Sequence, residues 1–347
     1  MGKVTIQSIA KELGLSRNTV SMALKGNDMV APRTRDMILR YAERAGYMVI
    51  PGQDRETEKD EKTEYRVMIL KKPDVAVYWD KIVNGISEEA SRHHCRTQVA
   101  VVSPEDEAQM KLPPGLDENI QAVFCVRMMA GDYIGKIQQM GIRLFFFDDY
   151  IGSKDAMTGD VLKTESFHPI VQITNHLIGQ GMKKIGFLGD SSHRYESMHS
   201  RYDGYQFAMA QAGLVPNPEF VMPYTESGCC YLQPTYDAIV ENYRELPEAM
   251  VCGNDQIAMY FTRALRRKGI RVPEDVAVTG FDNDEEGMLD PFFTTVDVDT
   301  QWLGRRMVQC FLWRMQCPDA PYEKISVSGK VVIRRSSLKP ALGTAVE

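Results

Sequence analysis

The sequence predicts an all-α helix-turn-helix headpiece joined to an α/β region built of two doubly wound half-domains. Three observations carry that prediction. Residues 4–24 read as two short helices around a glycine. From residue 65 onward, short apolar runs alternate with amphipathic helical stretches, the pattern of parallel α/β folds. That region is about 280 residues long, too many for one such sheet and suited to two.

In the first helix Ile6, Ile9, Ala10 and Leu13 share a face, and Gly14 follows as a residue able to take the left-handed conformation that ends a helix. Ser16 can cap the second helix, whose inward stripe is Val20, Ala23 and Leu24. Arg17, Asn18, Ser21 and Met22 are left to point outward. The small Ala10 gives two steeply crossing helices a close-approach position. A third helix opens at Pro32, carries Met37, Ile38, Tyr41, Ala42 and Ala45 as its buried stripe, and stops at Gly46.

This stretch resembles the headpiece of the lactose-repressor (LacI/GalR) family of bacterial transcription regulators. The resemblance rests on Val4-Thr5, Ile9-Ala10, Gly14, Ser16, Thr19-Val20-Ser21, the entry to the third helix from Val30 to Arg35, and Gly46-Tyr47, matched without a gap. Charge agrees with it. Residues 1–50 carry a balance of +4 and the remainder −10, so the basic surface is local. Phosphate binding draws on a clustered field, and an acidic total does not oppose DNA binding.

Side-chain chemistry then divides the roles. Arg17 presents the fork that matches guanine O6 and N7, and Asn18 can bond adenine N6 and N7, so both are expected to read base edges. The short hydroxyl residues Thr5, Ser16, Thr19, Ser21 and Thr34 suit phosphate oxygens. Met22 is placed with the base contacts but departs from the family, which often has arginine there. A thioether can only touch a thymine methyl, so the operator of a relative does not carry over.

Residues 51–64 form an acidic linker, with six acidic and three basic residues and no aliphatic side chain. In the family a hinge helix at this place wedges leucines into the minor groove. By register the wedge position falls on Glu56, whose carboxylate would be desolvated and repelled by phosphates. Little or no minor-groove insertion is expected, with Val49 or Ile50 as the displaced alternative.

Beyond it lies a ligand-binding and dimerisation domain over 65–340, with an N-subdomain of about 65–164 and 296–325 and a C-subdomain of about 165–295 and 326–340. Strands are expected at 66–70, 98–102, 122–126, 143–147, 184–188, 249–252 and 276–280. Helices are expected at 78–92, 132–140, 167–179, 197–212, 232–243, 255–268 and 301–315.

The family resemblance continues through Asn84-Gly85-Ile86, Phe146-Phe147-Asp148, Lys183 to Phe187, Arg201 with Gly204, Cys252 to Asp255, Val278 to Asp282, Phe293 to Val296 and Arg334 to Ser337. It implies a periplasmic-binding-protein-like domain with a cleft between halves joined by crossing strands. Ligands in open α/β sheets bind at the carboxyl ends of strands. Asp148 and Asp149, Asn254 and Asp255, and Asp282 lie at such ends, and Arg201 begins a helix after another.

The resemblance implies that Arg201, Asn254 and Asp282 bond ligand hydroxyl or carboxylate groups. Asp with Arg and Asn suits a polyol, whose hydroxyls donate and accept at once. Tyr78 and Trp79 offer an apolar platform for a sugar ring, with Phe281 or Tyr195 as another. Core packing for Tyr78 and Trp79, and helix capping for Asn254-Asp255, are the alternatives.

Other chemistry has little support. The seven cysteines, Cys229-Cys230 among them, show no paired metal-ligand spacing and fit reduced thiols. His93-His94 and the other histidines lack a His-Glu-x-x-His arrangement, and the acidic run from Asp282 to Glu286 lacks the spacing of a calcium loop. There is no Gly-x-Ser-x-Gly elbow or P-loop. No catalytic role, metal or cofactor is expected. The polar, charged N-terminus argues against a signal peptide, and no apolar run is long enough to span a membrane, so a cytoplasmic location is expected.

One headpiece reads a half-site, which implies a homodimer on a palindromic operator in double-stranded DNA. The tail after Leu338 has no heptads, so no coiled-coil tetramer is expected. The expected function is a transcription repressor controlled by a small-molecule effector, a sugar. A solute-binding protein of the same cleft fold is the alternative, and an enzyme on a doubly wound fold the third reading.

Overall fold

The computed structural model describes residues 5–24, 30–44, 64–73, 77–127, 129–148, 158–189, 195–222, 231–284 and 289–338. The chain divides into two compact units, Met1–Thr63 and Glu64–Glu347. Glu56, Val49, Ile50, Ala45, Gly46-Tyr47, Asp149 and Cys229-Cys230, and all of the linker but Glu64, lie outside the described residues.

In the first unit, α1 (Ile6–Leu13) starts at Thr5, whose hydroxyl accepts from Ser8 N while Ser8 Oγ accepts from Thr5 N. This reciprocal pair satisfies two otherwise orphaned amides. Gly14 ends the helix at φ 63°. Ser16 caps α2 (Arg17–Leu24) by accepting from Thr19 N at 3.0 Å. Ile9, Ala10, Val20, Ala23, Val30, Ile38 and Ala42 form one core between these helices and α3 (Pro32–Arg44).

Met37 corrects the expected stripe, being 45% exposed. The inward line of α3 runs through Ile38, Tyr41 and Ala42. Position 37 lies about 100° off Ile38 on the helix, beyond the edge of that line.

The second unit opens with β1 (Arg66–Lys71), α4 (Val77–Arg92), β2 (Arg96–Val101), α5 (Pro104–Ala108), β3 (Ala122–Cys125), α6 (Gly131–Gln138), β4 (Arg143–Phe147) and β5 (Asp160–Thr164). The chain then builds α7 (Phe167–Gly179), β6 (Ile185–Leu188), α8 (Glu196–Gln211), α9 (Gln233–Asn242), β7 (Ala249–Cys252), α10 (Asp255–Arg267) and β8 (Ala277–Thr279). It returns through β9 (Thr295–Asp297), α11 (Thr300–Gln316), β10 (Lys324–Val327) and β11 (Lys330–Val332).

One sheet has the order β10-β5-β4-β3-β1-β2, all parallel, and the other β6-β7-β8, also parallel. Bridges Phe187↔Val221 and Thr279↔Thr294 widen the second sheet on both sides. β9 and β11 pair antiparallel where the chain crosses between the halves. In each sheet the order reverses at its first strand, β1 or β6, which is where open α/β sheets place ligands.

The strands sit where continuous apolar runs end up buried on both faces, as Phe124, Phe145 and Phe147 do in one core and Met68, Val123 and Phe146 in another. Helices α4 and α11 pack in close contact because Gly85 and Gly304 face backbone. A Cβ on Gly85 would strike the Gln301 carbonyl, and one on Gly304 the Ile82 carbonyl. No helix among the described residues is long and apolar enough to cross a membrane.

β5 escaped the sequence reading because its sequence, Asp-Val-Leu-Lys-Thr, breaks the apolar run with two charges. The structure explains the acid. Asp160 is buried beneath Arg314 of α11, which donates Nε to Oδ2 at 2.9 Å and Nη2 to Oδ1 at 2.7 Å. Arg314 also donates to the carbonyls of Ala320 and Pro321, and Glu323 N donates to Asp160. The pair thus ties α11 and the entry to β10 onto β5. Removing one partner of a buried, bonded ion pair strands the other, at about 3–5 kcal/mol. Arg314→Ala is expected to lower the unfolding free energy by about that amount in denaturant titration, and a loss under about 1 kcal/mol would contradict this role for the pair.

Candidate functional site

Two surfaces collect the expected functional residues, one in each unit. In the first, Arg17 and Asn18 occupy the first turn of α2 and are exposed. Ser16 and Thr19 bond one another through their hydroxyls at 2.8 Å, and Thr5 is engaged in its capping pair. Hydroxyls at helix starts therefore already fix the ends of α1 and α2, while Ser21 is half-buried and Thr34 half-buried in the first turn of α3. Met22 is half-buried and packs on the headpiece core, so the outward position expected for it is only partly available.

In the second unit, side chains from both half-domains meet at the carboxyl ends of the strands. Arg201, in the second turn of α8, is 5% exposed. It donates Nη1 to the Gly253 carbonyl at 2.6 Å and Nε to Ser166 Oγ at 3.4 Å, and Nη2 lies 3.4 Å from Asp282 Oδ1. Its guanidinium lies over the Phe281 ring, 3.7 Å from the centroid.

Phe281 is therefore a correction. It is fully buried in the main core and lies beneath the Arg201 guanidinium, so its ring offers no open face as a ligand platform.

Asp148, after β4, accepts from both the hydroxyl and the amide of Ser197 at 2.5 and 3.3 Å. This contact joins the N-terminal half to the start of α8 in the other half. Asp148 and Asp282 both hold positive φ, 73° and 98°. Non-glycine residues rarely do so, and such strain persists where the surroundings dictate it.

Asn254 caps α10, its Oδ1 accepting from Ile257 N at 2.9 Å, while its Nδ2 donates to Tyr231 OH at 3.3 Å. The capping alternative therefore describes its oxygen, and only the amide nitrogen is turned to a neighbouring side chain. Tyr78 is buried and packs edge-on against Trp79 at 4.9 Å. Trp79 is half-buried, and its ring also meets Phe147 at 5.8 Å. Tyr195 is half-buried at the residue before α8.

Ser197, Gly253, Ser166 and Asp284 were missed by sequence reasoning. Ser197 carried a faint signal, a hydroxyl near a helix start, whereas a backbone carbonyl such as that of Gly253 leaves none.

The electrostatics follow from crowding acids in a buried place. Burial raises Asp282 to about 6, against the pull of Arg201. Burial raises Asp255 well above the ordinary range, and the charge of Asp282 adds to this. Asp255 Oδ2 accepts from Thr295 Oγ1 at 3.0 Å and Asp284 N at 2.9 Å. Asp284 is raised by burial too, with Lys81 and Arg201 drawing it down. Burial, then the charge of Asp282, holds the Tyr78 phenol protonated far above its usual range.

Residues 174–337 match the family described as a periplasmic binding protein-like domain. The HTH-type transcriptional repressor PurR of Haemophilus influenzae (strain PittEE) is 27% identical over 343 residues, covering 96% of this chain and 98% of the relative. Among solved structures, the complex of the transcriptional regulator CelR with cellobiose superposes with a TM-score of 0.66 at 20% identity, over 96% of this chain and all of that one. The lac repressor dimer bound to operator and the anti-inducer ONPF gives 0.61 at 18%, over 97% and 100%.

Asp282 supplies a test of the site's charge. A carboxyl raised from 3.8 to about 6 by folding stabilises the fold below its unfolded value. That contribution is lost as pH rises through about 6. Relative to wild type, Asp282→Asn should therefore gain in unfolding free energy between about pH 4 and about pH 7. Parallel pH profiles in denaturant titration would show that Asp282 carries no such burden.

Proposed function

Because the chain belongs to the lactose-repressor (LacI/GalR) family of bacterial transcription regulators, we propose that it is a repressor of a palindromic operator, controlled by a sugar effector bound between its half-domains. The observation that carries this reading is the first turn of α2, where Arg17 and Asn18 stand exposed on a helix whose other face is locked into a three-helix core. A fork and a carboxamide at neighbouring exposed positions are the side chains that read guanine and adenine edges in the major groove. Thr5, Ser16, Thr19, Ser21 and Thr34 set the register on phosphates, several of them through the helix starts they also stabilise.

A homodimer presents two such helices to the two half-sites. The lac repressor neighbour is a dimer on operator DNA, and the CelR neighbour holds cellobiose. In this chain the effector lies against Arg201, Asp282, Asp148, the Asn254 amide and the faces of Tyr78 and Trp79. Its hydroxyls replace contacts that the chain now makes with itself, such as that between Asp148 and Ser197. Closing or opening the halves in this way repositions the two headpieces of the dimer. A ligand that drives such a switch from 1:99 to 99:1 must favour one state by about 5.5 kcal/mol. The protein acts by binding, in the cytoplasm, and without catalysis.

The reading is tested by selecting the preferred duplex from a random library and measuring binding at fixed salt. Arg17→Ala should weaken the selected duplex by about 1–3 kcal/mol, relax preference at one position per half-site, and leave random DNA nearly unaffected. Equal loss on selected and random DNA would place Arg17 on phosphate instead.

A further inference from the structure

The effector site is rich in acceptors, and its described cations are already matched. Arg201 is held by Asp282, the Gly253 carbonyl, Ser166 and the Phe281 ring. The positive end of α8, where an anion would otherwise be welcome, already receives Asp148 through the amide and hydroxyl of Ser197 and carries Glu196 in its first turn. Lys163 pairs with Glu196 at 2.6 Å, the charge of Lys81 acts on Asp284, and Arg127 lies over the Trp79 ring at 6.0 Å.

Against these stand the carboxylates of Asp148, Asp282 and Asp284, with Asp255 behind them. Asp255 is 3% exposed, and its Oδ1 has no hydrogen-bond partner. A Cβ on Gly280 would overlap that oxygen, so the glycine is what lets the acid sit there.

We propose that the effector is an uncharged or amine-bearing polyhydroxyl compound, and that this site rejects sugar acids and sugar phosphates. Resting on the effector reading above, this names the charge class that the cleft selects. A hydroxyl or ammonium can add to the contacts that Asp148, Asp282 and Asp284 already make, because each carboxylate has lone pairs left to accept with. A phosphate or carboxylate enters a place where each described cation has a partner and must either displace an acid of the chain or remain unpaired, and both are costly in a buried site. Specificity of this kind comes from repulsion as much as attraction.

The test is a calorimetric titration of the full-length protein with matched pairs. These are hexoses and disaccharides against their 6-phosphates and uronates, amino sugars, and nucleosides against nucleoside monophosphates. The expected result is a neutral or amino sugar that binds, with its anionic counterpart at least roughly 100-fold weaker, about 2.7 kcal/mol. Asp284→Asn, which keeps the backbone bond to Asp255 and removes one negative charge from the site, should narrow that ratio. An acid sugar or sugar phosphate that binds as tightly as its neutral partner overturns the charge rule and leaves the sugar reading in place. Selective binding of a neutral nucleoside does the reverse. No binding by any compound overturns both.

Discussion

The buried guanidinium of Arg201 is the constraint around which the effector domain is arranged. A charge this deep persists only with its bonds satisfied. Its partners come from separate elements: Ser166 before α7, Gly253 after β7, and Phe281 with Asp282 after β8. Satisfying one side chain therefore fixes the relative positions of three strand ends. Asp282, whose carboxylate faces Arg201, holds a positive φ, a strain that persists where the surroundings dictate it.

From that centre a polar chain leads to the strands that join the halves. Asn283, next to Asp282, donates to Thr295 Oγ1 through its amide and to Asp297 through Nδ2, and accepts from Arg334 at 2.8 Å. Arg334 N donates to Thr294 Oγ1, which in turn bonds Ser337 Oγ at 2.6 Å, and His176 of α7 lies 3.2 Å from that hydroxyl. The loop that positions Asp282 is thus bonded to β9 and to Arg334, just past the end of β11. Under the proposed effector reading, a ligand that shifts this loop would act on the segments that join the halves.

Much of this was legible in the sequence, and each exception has a physical cause. The buried parallel strands β1, β3, β4, β6 and β7 announce themselves as apolar runs, and the helices between them as 3.6-residue stripes. β5 hides because its buried acid is neutralised by Arg314, more than 150 residues away in sequence. β9, β10 and β11 hide because Thr-Val-Asp, Lys-Ile-Ser-Val and Lys-Val-Val mix polar with apolar residues, unlike the all-apolar β3 and β7. At the site, residue type and strand-end position pointed to Arg201, Asp148, Asp282 and Asn254. They did not reveal that Phe281 faces the core or that Met22 leans on the headpiece, and they left open whether Asn254 spends its oxygen on a cap. Each of these depends on a side-chain direction set by tertiary packing, which one-dimensional spacing does not encode.

If Arg201 is the group through which effector binding reaches the DNA, one measurement exposes it. Fluorescence anisotropy of labelled operator would be recorded for the wild type and for Arg201→Lys, each with and without the tightest-binding neutral sugar. The lysine variant keeps a charge but lacks the planar fork that spans Gly253, Ser166 and Asp282. It should bind operator as the wild type does without sugar, and fail to respond when sugar is added. An undiminished response would show that the switch does not pass through Arg201.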